Sequence, residues 1–181
     1  MNRLIAYFVA VAPFALVASA APPTSPYVDQ ETRDIKALSP EDLNAYLGGK
    51  GAGFAKAAEL NGYAGPAHVL ELSAPLALTP EQQARTEALF ASMQSRAKSL
   101  GRALIEEERK LDRLFATKTV TLNVLNSSLS EIGALQAKVR AAHLEAHLAQ
   151  FEILTPEQNA LYSQLRGYGA AGAHTGHGGQ H

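Results

Sequence analysis

Leu78-Thr79-Pro80-Glu81-Gln82 and Leu154-Thr155-Pro156-Glu157-Gln158 are two copies of one helix start, and they bracket the longest helical stretch of the chain. A looser copy, Leu38-Ser39-Pro40-Glu41-Asp42, comes earlier. In each, a Thr or Ser hydroxyl can cap free backbone N–H groups, and Pro fits the first helical position, where no N–H is needed. Glu then faces the positive end of the helix dipole, and the residue three after the cap can close a capping box.

Working outward from these caps gives a helical hairpin. Over residues 80–118 the apolar side chains Phe90, Met93, Ala97, Leu100, Leu104, Leu111 and Leu114 recur mostly three or four apart, with charges opposite. Such a helix is roughly 55–60 Å long and needs a partner along its length. The β-branched run Thr119-Val120-Thr121 is placed at the turn. A second helix over 122–154 carries Leu125, Leu129, Ile132, Val139, His143 and Ala146 on its stripe, and the second cap opens a short helix through Arg166. Upstream, helices are expected over 39–47 and 54–60, separated by Gly48, Gly49, Gly51 and Gly53, and over 66–73 after Gly65. Asn61-Gly62 and Pro75 read as stops. The fold class is all-α: a long antiparallel hairpin with short flanking helices.

The ends read differently. Residues 1–20 have Arg3, an apolar run and Ala18-Ser19-Ala20, the pattern of a cleaved secretion signal. The alternative, an uncleaved membrane anchor, must use a run only just long enough to span a bilayer and interrupted by Pro13. Residues 21–36 read as a flexible leader, 37–167 as the helical domain, and 168–181 as a disordered Gly- and His-rich tail. The absence of cysteine excludes disulfide staples and lipoprotein attachment, so the chain must hold itself by a packed core or an oligomer interface. A formal net charge of −1, or −2 once Arg3 is removed, gives no reason to expect nucleic acid. No nucleophile–base pair, paired carboxylates or phosphate-binding loop is evident, and no enzyme is expected.

A secretion signal, a helical hairpin and Leu-Thr-x-x-Gln at both of its ends resemble the Spy/CpxP family of periplasmic proteins, over roughly residues 66–166. Leu78, Thr79 and Gln82 match the first motif, and Leu154, Thr155 and Gln158 the second. The resemblance implies motif residues that fix helix junctions without doing chemistry, and a curved antiparallel homodimer. It implies a periplasmic, ATP-independent chaperone or envelope-stress protein that binds unfolded clients, or a partner of a membrane sensor protein. It also includes CnrX-like and ZraP-like metal-responsive relatives. Residues 39–65 have no counterpart in Spy-like members. The basic concave surface of those members is weakly echoed by eight basic against six acidic residues over 79–118. Leu89, Phe115 and Phe151 are candidate client contacts on the long helices.

The histidines carry the second function class. His143 and His147 stand one helical turn apart, a spacing suited to chelating a divalent transition metal. Leu144 after the first His departs from the zinc-protease pattern, and Glu145 points sideways. His68 precedes Thr79 by the same eleven residues that separate His143 from Leu154, so a short helix folded back on the hairpin would bring His68 level with the pair. Glu71, one turn on, is a candidate fourth ligand. The resemblance supports the set, since CnrX-like sensors use His from the corresponding helices, although no Met follows His147 by four residues. The competing reading is a buried His143 that only packs. His174, His177 and His181 in the tail are candidate loose ligands. The metal implied is zinc, nickel, cobalt or copper, and the function a sensor or buffer.

Overall fold

The computed structural model describes residues 24–168 in two units, one ending at Thr32 and the other starting at Arg33. The expected signal segment and the tail with His174, His177 and His181 lie outside the described residues. In the first unit, residues 24–32 form turns, with the Val28 N–H on the Ser25 carbonyl at 3.3 Å and the Gln30 N–H on the Tyr27 carbonyl at 3.1 Å.

The second unit is all helical: α1 Pro40–Gly48, α2 Lys56–Glu59, α3 Pro66–Glu71, α4 Pro80–Ala116, α5 Leu122–Ile153 and α6 Pro156–Leu165. The α4–α5 hairpin is the frame; α1 and α3 lie on α4, and α2 and α3 reach α5. No helix among the described residues is long and apolar enough to cross a membrane.

All three caps form as their residues dictate. The Ser39, Thr79 and Thr155 hydroxyls accept from the N–H three residues on, and the Asp42, Gln82 and Gln158 side chains return the bond. The hairpin turns where the β-branched run stands, with Lys118 left-handed at φ 57° after the end of α4.

Two apolar clusters hold the fold. Toward the turn, Ile35, Leu38 and Tyr46 pack on Leu104 and Ile105 of α4 and on Ile132, Leu135 and Val139 of α5. At the open end, Ala64, Val69 and Leu76 pack with Leu154 and Tyr162. Three residues of the stretch read as leader, 34–36, also make contacts with the hairpin. Ile35 is in the core, and Asp34 and Lys36 pair with Arg109 and Asp112 of α4. Leu129, expected on the buried stripe, is half exposed.

Candidate metal-binding cavity

The glycine-broken segment after α1 cannot continue as a helix, so it loops across the hairpin before α2 and α3 turn back onto α5. A cavity of about 550 Å³ is left under this loop. Its wall includes Gly48–Gly53, Glu59, Gly65, His68 and Glu71 on one side, and Phe90, Met93, His143 and His147 on the long helices. The four residues proposed from the sequence as metal ligands, His68, Glu71, His143 and His147, thus share one cavity.

They are not equivalent. His147 is buried, and its Nδ1 lies 2.8 Å from the Tyr63 carbonyl oxygen, which can only accept. Nδ1 therefore carries the proton and Nε2 is left with its lone pair, the tautomer that a backbone-anchored metal ligand needs. His143 is also buried, and its Nε2 has no hydrogen-bond partner. Burial, and then the nearby His147, hold its pKa below the ordinary imidazole value, so it stays neutral and able to ligate. His68 is partly exposed, with Nδ1 3.6 Å from a Glu59 carboxylate oxygen. Glu71 is exposed at the rim. Glu145, as expected, turns away and pairs with Arg96.

The buried carboxylate of the cavity is Glu59, which sequence reading did not single out. Its Oε1 accepts from the Tyr162 hydroxyl at 2.6 Å and the Tyr168 hydroxyl at 2.9 Å, with Arg166 Nε at 3.3 Å. Its Oε2 is buried without a hydrogen-bond partner, 3.8 Å from His147 Nδ1. Gly65 completes the arrangement. A Cβ there would stand 2.8 Å from His147 Cε1, 3.0 Å from His147 Nε2 and 3.5 Å from Glu59 Oε2, so glycine keeps open a notch that both groups border. The one local signal for Glu59 is an acidic residue just before the Asn-Gly stop. Its burial depends on how the four-residue α2 is laid against α5, which no periodicity encodes.

Among the described residues no group of three or more His, Asp or Glu side chains stands close enough to hold an ion without moving. The donors do fit a metal in kind: two buried atoms without partners, Glu59 Oε2 and His143 Nε2, and one imidazole with its tautomer fixed. The heavy-metal resistance family model matches residues 43–160, from α1 into α6. The chain belongs to the heavy-metal resistance family. That match spans all the cavity residues just described. No curated protein and no solved structure shows a significant match.

The candidate client contacts fare unevenly. Phe115 is exposed at the end of α4, whereas Leu89 is half-buried and the Phe151 ring lies 4.8 Å from that of Tyr63.

Proposed function

We propose that this member of the heavy-metal resistance family is a sensor or buffer for a divalent transition metal. The ion enters the cavity and is held by His143, His147 and Glu59, with His68 and Glu71 at its edge. One observation carries the reading: two residues that line a single cavity, Glu59 and His143, each hold a buried side-chain atom without a hydrogen-bond partner. A buried polar atom left unpaired costs about 1–3 kcal/mol. A dication would relieve both. An imidazole and carboxylate set suits zinc, nickel, cobalt or copper. The donors must draw together to reach an ion, and that movement gives a sensor its second state.

The finer assignments belong to the same proposal. The paired Leu-Thr-x-x-Gln caps support kinship with the Spy/CpxP group, and the apolar leader before Ala18-Ser19-Ala20 supports export to the periplasm. There the chain would act as a homodimer, reporting to a membrane sensor protein or buffering the ion. The tail histidines His174, His177 and His181 would add loose binding.

Calorimetric titration of Zn²⁺ and Ni²⁺ into the full chain with those three tail histidines changed to Ala tests the reading. Saturable binding near one equivalent is expected, weakened at least tenfold by His143→Ala with His147→Ala. Binding indifferent to that pair sinks it.

A second reading, an ATP-independent chaperone, rests on the apolar side chains exposed around the hairpin turn: Phe115, Leu122 and Leu129. Suppression of the aggregation of a denatured client, lost on Phe115→Ser with Leu122→Ser, would support it. Failure at stoichiometric amounts would remove it.

A further inference from the structure

Glu59 faces two ways. One oxygen is buried without a hydrogen-bond partner, 3.8 Å from His147 Nδ1; the other is gripped by three side chains from the end of α6 and the residues after it. The grip is itself built. The Arg166 guanidinium reaches the Tyr168 hydroxyl at 3.3 Å and sits 5.8 Å from the centre of its ring. Tyr162 is fully buried, and its hydroxyl donates to Glu59 Oε1 at 2.6 Å. Two hydroxyl donors and a cation on Oε1 fix the rotation of the carboxylate. Oε2 is thereby held at the Gly65 notch beside His147.

We propose that Tyr162, Arg166 and Tyr168 are positioning residues for the metal cavity, acting through Glu59, and that metal occupancy in turn tightens the chain at the end of α6. The inference rests on the metal reading above and deepens it. A ligating carboxylate whose free oxygen is hydrogen-bonded is oriented and made a better ligand, and loss of such outer partners commonly lowers metal affinity by about 10–100-fold. The linkage is reciprocal, because whatever the clasp adds to metal affinity the metal adds to clasp stability. The residues tied down in this way include Arg166, Gly167 and Tyr168, whose backbone N–H groups bond to Tyr162, Gln164 and Ser163. The cavity thus has a route to the C-terminal end of the helical domain, on the far side of Glu59 from the ion.

Tyr168→Phe is the informative change, because it removes one hydroxyl and keeps the ring that Arg166 covers. In the full chain with the tail histidines changed to Ala, Zn²⁺ affinity should fall about tenfold, with the metal-free protein still folded by circular dichroism at the titration temperature. In a Glu59→Gln background the same change should have no further effect on affinity. Zn²⁺ should slow hydrogen exchange at the amides of 166–168 in the unaltered chain and not in Glu59→Gln. Unchanged Zn²⁺ affinity in Tyr168→Phe, or the same loss with Glu59 already replaced, overturns the inference and leaves the cavity reading standing. An absence of Zn²⁺ binding, or binding indifferent to His143→Ala with His147→Ala, overturns the cavity reading and this inference together.

Discussion

Gln82 and Gln158 do more than close their own capping boxes. Each side-chain oxygen accepts from its cap residue's N–H, while each amide donates across to the other: Gln82 Nε2 to Gln158 Oε1 at 2.8 Å, Gln158 Nε2 to Gln82 Oε1 at 3.1 Å. The same amides also reach the Ile153 and Leu76 carbonyls. The repeated motif is therefore one joint that ties both ends of the hairpin together, and it needs Gln rather than Glu. Gln82→Glu would keep a good capping-box acceptor but lose both donated bonds, so a loss of about 2–3 kcal/mol is expected in urea unfolding. Thr79→Ala should cost about 1 kcal/mol. If Gln82→Glu is neutral, the motif is only a cap. Glu108 offers a second test. It is buried on α4, and burial raises its pKa above the ordinary 4.5. The folded state then holds the proton more tightly than the unfolded one. Stability should fall as pH climbs from about 4.5 through the raised value, and the penalty is full above it. Glu108→Gln is expected to raise the melting temperature by a few degrees at pH 7, with the difference closing by about pH 4 in circular dichroism melts.

At the scale of elements, the contact between α1 and α4 turns on Gly101. A Cβ there would lie 2.5 Å from the Tyr46 carbonyl oxygen and 3.0 Å from its carbonyl carbon, so the backbone of α1 rests directly on α4. Ala in place of Gly inside a helix normally stabilises by about 1 kcal/mol. Here overpacking against backbone should outweigh that gain, and Gly101→Ala is expected to lose about 1–2 kcal/mol in denaturant melts. A gain would mean that α1 stands off from α4. The six helices were legible because each signal was local: a cap, a stripe or a breaker. Ile35 was not, since one apolar residue in a polar leader has no period to announce it. Leu129 was misjudged for the converse reason. Its period matches the stripe, but burial depends on what lies opposite, and Leu129 stands half exposed.

For the whole molecule, the sequence brought His68, His143 and His147 to one level by counting back from the two caps, and the fold puts all three in the wall of one cavity. What it could not supply was the chemistry around them. Glu59, the Gly65 notch and the tyrosines that hold Glu59 come from two stretches of chain, 59–65 and 162–168, whose meeting depends on the course of the glycine-broken loop. Glu71, chosen by helical spacing from His68, lies at the exposed rim, so the buried carboxylate is set by packing rather than by spacing. Under the proposed function an ion pulls these groups together. Zinc-edge X-ray absorption of the full chain, with the tail histidines changed to Ala and one equivalent of Zn²⁺ bound, tests this most directly. A first shell containing at least two imidazole nitrogens at about 2.0–2.1 Å and a carboxylate oxygen is expected. A shell of oxygens alone, or one unaltered by His143→Ala with His147→Ala, would contradict it.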